Sequence, residues 1–188
     1  MKTQFDIQEL INKGKIESEL ELERAYIADR KLKQLSKEDF KYKSIRKKLR
    51  DLIETYENKH WSKNASFNAP GIKENDIAES MAEKERLFVE KRKELIRKKL
   101  KSLDLNQQQL GIILGHKNKS YISELMNGIS PFTLKDLIII HKLLKIDLGK
   151  LIPTTLTYNE QKKIKASLLE LKRKNQKFNP ENLNLEFA

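Results

Sequence analysis

"LGHKNKSYISELMNG", residues 114–128, is the stretch on which the fold turns. Its polar and basic side chains, from His116 to Ser120, crowd one end. Ile122, Leu125 and Met126 follow at spacings of three and four, one stripe of an α-helix. Gly115 precedes the stripe, and Asn127-Gly128 ends it with residues that tolerate positive φ. The pattern predicts a short helix starting near Asn118, apolar on one side, with a free polar N-terminal end.

The neighbours extend this unit. Asn106 is a good N-cap for a preceding helix bearing Leu110, Ile113 and Leu114. A further helix is expected from Thr133 through Leu134, Leu137, Ile138 and Leu144, and Pro153 closes the block. Short helices separated by Gly115, Gly128 and Pro131 read as a helix-turn-helix in a small helical core. In that arrangement the second helix presents its N-terminal end to the major groove. The candidate DNA-reading residues are therefore Lys117, Asn118, Lys119, Ser120 and Tyr121. Lysine can donate to guanine, asparagine can bond adenine bidentately, and serine can contact several bases. His116, in the turn, is placed to touch phosphate.

The flanking sequence is also helical, so the fold class expected is all-α: an N-terminal helical hairpin, a helix-turn-helix domain and a C-terminal helix. Residues 1–60 form the helical N-terminal region. A short helix around Ile7, Leu10 and Ile11 breaks near Gly14. Ser18 with Glu21, and Ser36 with Asp39, are capping-box patterns opening two helices that run to about Leu35 and His60. Joined so tightly, they should form an antiparallel hairpin. Residues 61–76, with Pro70-Gly71 and no period, read as a linker. Residues 77–152 hold the DNA-binding domain behind a leading helix that reaches about Leu103, either one long helix or two in succession. Residues 153–188 supply a C-terminal helix, opened by the Thr157–Glu160 box, and a tail.

Composition bounds the function. The chain has 188 residues, 39 basic against 27 acidic, for a net charge of +12. Such a charge favours polyanions, but the excess is spread along the chain and locates no site. Cysteine is absent, which excludes disulfides and thiolate metal sites. The N-terminus lacks an apolar signal region and no segment is long and apolar enough to span a membrane, so a cytoplasmic protein without a membrane role is expected. His60, His116 and His141 are far apart in sequence, and no nucleophile motif or phosphate-binding glycine loop occurs. Neither an enzyme, nor a cofactor, nor a metal site is expected. The acidic run "ESELELE" (17–23) suits either a basic partner or a helix N-terminus. The basic run "EKRKELIRKKLK" (90–101) reads as a solvated helix face.

"LNQQQLGIILG…SYISELMNG…LKDLIIIHKLLKI" resembles the lambda-repressor or Xre-type helix-turn-helix. That resemblance implies a phosphate contact for Gln107 and base contacts for Asn118, Lys119, Ser120 and Ser123. The turn "GHKNKS" is somewhat longer than the family pattern. Over roughly residues 18–152 the chain is also similar to the HigA antitoxins, whose "YExxH" element before the linker is matched by Tyr56, Glu57 and His60. This second resemblance implies an antitoxin of a type II toxin-antitoxin pair. Such a protein would bind a RelE-like HigB-type ribonuclease toxin and repress its own operon as a homodimer on double-stranded operator DNA. The alternative is a transcriptional regulator with no toxin partner. On either reading the hairpin of residues 18–60 is expected to offer a surface independent of the DNA-binding face.

Overall fold

The computed structural model describes the backbone of residues 5–60, 69–154 and 156–174, and the side chains of these outside 69–74. The described residues contain only helices: α1 (Ile7–Lys13), α2 (Glu19–Leu35), α3 (Lys41–His60), α4 (Ala69–Lys101), α5 (Gln107–Ile113), α6 (Lys119–Asn127), α7 (Leu134–Leu144), a single 3₁₀ turn (Leu148–Lys150) and α8 (Tyr158–Lys174). Residues 1–153 form one compact unit, and residues from Thr154 onward form a second.

Local chemistry sets most helix ends. Asp6 caps α1 by accepting from the amides of Gln8 and Glu9, and Gly14, at φ 72°, ends it. Ser18 Oγ accepts from Glu21 N at the start of α2. Ser36, however, does not open α3. It sits at the C-terminus of α2 in a helical conformation, with its hydroxyl donating to Lys33 O. Asp39 instead accepts from Lys41 N. Residues 36–40 thus make a corner between the two helices. Thr157 and Glu160 do form the reciprocal box expected at α8. The leading helix is one continuous element, α4, which starts at Ala69, within the segment read as a linker. Pro70 is acceptable there because the first helical turn leaves its amides unpaired anyway. Residues 61–68 lie outside the described residues.

Two cores share α4. The first joins α1, α2 and α3 through Ile7, Leu10, Leu22, Leu32, Leu49 and Ile53, and it takes in Ile129. The second joins the C-terminal part of α4 to α5, α6 and α7 through Ile96, Leu110, Leu125, Phe132, Leu137 and Ile140. α4 also packs along α2, and it buries Ala78, Ala82 and Val89. Ion pairs edge these contacts. Arg24 forks onto Glu85 between α2 and α4, and Arg46 forks onto Asp29 between α2 and α3. Tyr56 and His60 stack at 4.2 Å, Tyr56 donates to Glu19, and Glu57 accepts from Tyr26. The Tyr56–Glu57–His60 element therefore fastens α3 to α2.

Candidate nucleic-acid interface

Three features build the helix-turn-helix. Asn106 and Gln109 form a reciprocal capping box that starts α5. Gly111 lets α6 approach α5 closely: a Cβ there would lie 3.2 Å from His116 O and 3.4 Å from Ile122 Cβ. The same Gly111 carbonyl accepts from His116 N at 2.8 Å, which closes the turn. Gly115, at φ 84°, supplies a bend that a side chain would strain. Asn118 then caps α6 through Ser120 N, and Gly128 closes it at φ 72°.

The turn is also tied to α7. His116 Nε2 lies 3.0 Å from Asp136 Oδ1, and its ring meets Tyr121 edge-on at 5.0 Å. Asp136 is buried, and its other oxygen accepts from both Thr133 N and Thr133 Oγ1 at the cap of α7. His116 thus has a protein partner where sequence suggested a phosphate contact.

The candidate DNA-reading residues fall into two groups. Lys117, Asn118 and Lys119 are exposed at the N-terminal end of α6, and Gln107, the first residue of α5, is half-buried. Ser120, Tyr121 and Ser123 are all half-buried. Ser123 accepts from the Asn127 side-chain amide through both its carbonyl and its hydroxyl. Burial raises the pKa of the Tyr121 phenol above its ordinary value.

Ser120 leads to a feature that sequence did not anticipate. Its hydroxyl donates to Asp39 Oδ2 at 2.9 Å, and its carbonyl accepts from the Tyr42 hydroxyl at 3.3 Å. One turn later Glu124 accepts from Lys41 Nζ at 2.7 Å. At the end of the helix the Asn127 carbonyl accepts from Lys31 Nζ at 3.1 Å, and the Asn127 side chain accepts from Lys93. Just beyond, Ile129 is buried in the N-terminal core, and its carbonyl accepts from Ile7 N at 3.4 Å. From Ser120 to Gly128 no residue is exposed. The hairpin is therefore not an independent surface: its corner and its α2 side chains lie against α6. Nor is the basic run of α4 simply a solvated face, since Arg92 is buried and Lys93 is bonded to α6. The acidic run 17–23 has internal uses, with Glu17, Glu19 and Glu21 bonded to Lys13, Tyr56 and Lys13 respectively.

Among the described residues no helix is long and apolar enough to cross a membrane. Comparison with curated proteins and with solved structures finds no match. A family model described as Helix-turn-helix matches residues 96–151, which are the end of α4, α5 to α7 and the 3₁₀ turn. Residues 96–151 are thus a helix-turn-helix domain of the lambda-repressor or Xre type, and the described residues around it form only helices.

Proposed function

We propose that this protein is a sequence-specific DNA-binding transcriptional regulator. The observation that carries the reading is the α5–turn–α6 unit of residues 107–127, within the family match. Its exposed N-terminal end groups Lys117, Asn118 and Lys119. These side chains can combine phosphate attraction with base-edge hydrogen bonds. Gln107, at the start of α5, is assigned a backbone phosphate. A single module of this size makes a small interface, so the protein is assigned a homodimer on two half-sites about one helical turn apart. Footprinting on the DNA upstream of its own gene tests this. Paired protected sites are expected, and protection of one isolated half-site by a monomer defeats the dimer.

A second reading adds toxin neutralisation. It is favoured by the Tyr56–Glu57–His60 element, whose side chains fasten the hairpin that the HigA resemblance assigns to an antitoxin. The partner would be a small basic RelE-like ribonuclease encoded next to this gene. Co-expression with that neighbour and recovery of growth is the test. Absence of such a gene, or of any rescue, leaves the transcriptional regulator.

A further inference from the structure

The side of α6 that faces away from its own core is occupied by the N-terminal hairpin. Successive residues of an α-helix turn by about 100°. Ile122, Leu125 and Met126 therefore share one side, and Ser120, Glu124 and Asn127 form a stripe on the other. That second stripe is the one a recognition helix turns toward base edges. Here Asp39 and Tyr42 hold Ser120, Lys41 holds Glu124, and Lys31 and Lys93 hold Asn127. A helix with its side chains is about 10–12 Å across, and the major groove is about 12 Å wide. One helix fills the groove, so DNA and the α2–α3 corner cannot occupy this stripe together.

We propose that the hairpin is an autoinhibitory latch on the recognition helix, and that α6 reads DNA only after the Asp39–Lys41 corner has swung away. This rests on the DNA-binding reading above.

The seam has the character of a contact that opens. It is held by one ion pair, Lys41–Glu124, and by polar bonds beside the buried Ile129, and the Lys41 side chain is still 37% exposed. A solvent-open cleft of about 620 Å³ runs along it, lined from one side by Ile7 and Ile45 and from the other by Tyr121, Glu124 and Phe132. The hairpin also keeps a core of its own when Ile129 is set aside, since α1, α2 and α3 pack on one another through Leu22, Leu32, Leu49 and Ile53. The latch acts by removing α6 from the binding-competent population, so the apparent affinity is the intrinsic one reduced by the open fraction.

Lys41→Glu in the full chain tests the latch, because two effects oppose in sign. Replacing a cation by an anion weakens DNA binding through fewer counterions released. Opening the latch strengthens it. The probe is a pool of duplexes randomised over two turns of major groove, and circular dichroism checks that each protein keeps its helices. The expected result is retention of selected duplexes about tenfold tighter by Lys41→Glu than by wild type. A second protein carries Lys41→Cys and Glu124→Cys in this cysteine-free chain, bridged by a short bis-methanethiosulfonate. Bridged, it should lose the duplexes; reductant should restore them. If wild type binds selected duplexes, Lys41→Glu binds them no better, and bridging changes nothing, the latch is overturned and the DNA-binding reading stands. If no folded variant selects any duplex, the DNA-binding reading falls and takes the latch with it.

Discussion

The Arg92 guanidinium lies 5.1 Å from the ring centre of Phe132 and 5.5 Å from that of Phe88, and its Nη1 donates to Leu151 O at 3.1 Å. Arg92 is almost fully buried, and burial pushes its pKa down to about 10. It ties α4 to the end of the helix-turn-helix domain through packing as well as charge.

Arg92→Ala should therefore cost about 2–4 kcal/mol in urea unfolding, through the cavity and the loss of a partner for Leu151 O. Arg92→Met keeps much of the volume and removes a buried charge, so it should cost clearly less. Equal losses for the two variants would show that the hydrogen bond, not the packing, matters.

Lys31 should give the protein a pH-dependent stability in the alkaline range. Burial, first, lowers its pKa from 10.5 to about 8, with Lys93, Arg86 and Arg92 adding to the effect and Glu90 opposing it. The unfolded chain then binds more protons at this site than the folded chain does between about pH 8 and 10.5. Stability from this site rises with pH across that window and is at its lowest below pH 8. Urea midpoints of wild type and Lys31→Met, compared from pH 7 to 10, should converge on an alkaline-independent difference only if Lys31 is not responsible. The expectation is that wild type gains on the variant as pH rises.

Gly111 marks how closely α5 and α6 meet. Alanine would gain helix propensity of about 0.5–1 kcal/mol over glycine, but its Cβ would press on the backbone carbonyl of His116, which has little room to give. The two effects nearly cancel, so Gly111→Ala should change stability by less than about 1 kcal/mol. Gly111→Val extends into the same contact and should cost about 1–3 kcal/mol. A harmless valine would mean that the two helices separate more easily than their hydrogen bonds suggest.

The helix-turn-helix was legible because its signals are local. Asn106, Gly115, Asn118 and Gly128 each act within a few residues of where they stand, and the Leu110, Ile122, Leu125 and Leu137 pattern marks the sides that must be buried. Asp39 shows the limit of such reading. Its role toward Lys41 N is local, although it was expected to sit inside a capping box begun by Ser36. Its second oxygen reaches Ser120 across the fold, which no periodicity reports. The stripe Ser120–Glu124–Asn127 is polar, so by composition alone it suits solvent, DNA or another helix equally. Arg92 was hidden for a related reason: a basic run on a long helix looks solvated until a second core closes over one of its members.

Asn118 has two duties that substitution can separate. Its side chain caps α6 by accepting from Ser120 N at 2.9 Å, and it is also a candidate adenine reader. Asn118→Ala should cost about 1 kcal/mol of stability from the cap alone. Asn118→Ser retains a capping oxygen but cannot bond adenine bidentately. If Asn118 reads a base, the serine variant should keep its urea midpoint while losing about 1–3 kcal/mol on a selected duplex and relaxing preference at one base pair. A serine variant with unchanged affinity and preference would leave Asn118 as a cap only.

Lys117 and Lys119 flank that cap and are both exposed, one before the helix and one as its first residue. Exposed lysines at this end can reach phosphates on either side of the groove, and each phosphate neutralised releases counterions. Removing one should lower the salt slope of binding by about 0.9 on a selected duplex. The loss should be similar on every sequence, since phosphates carry no base information. Binding isotherms across a range of salt concentrations for Lys117→Ala, Lys119→Ala and the double variant measure this directly. The slopes should fall in steps, with the double variant losing about twice as much as either single one. A variant whose slope stays at the wild-type value has lost no phosphate contact. A change confined to particular sequences would move that lysine from phosphate to base edge.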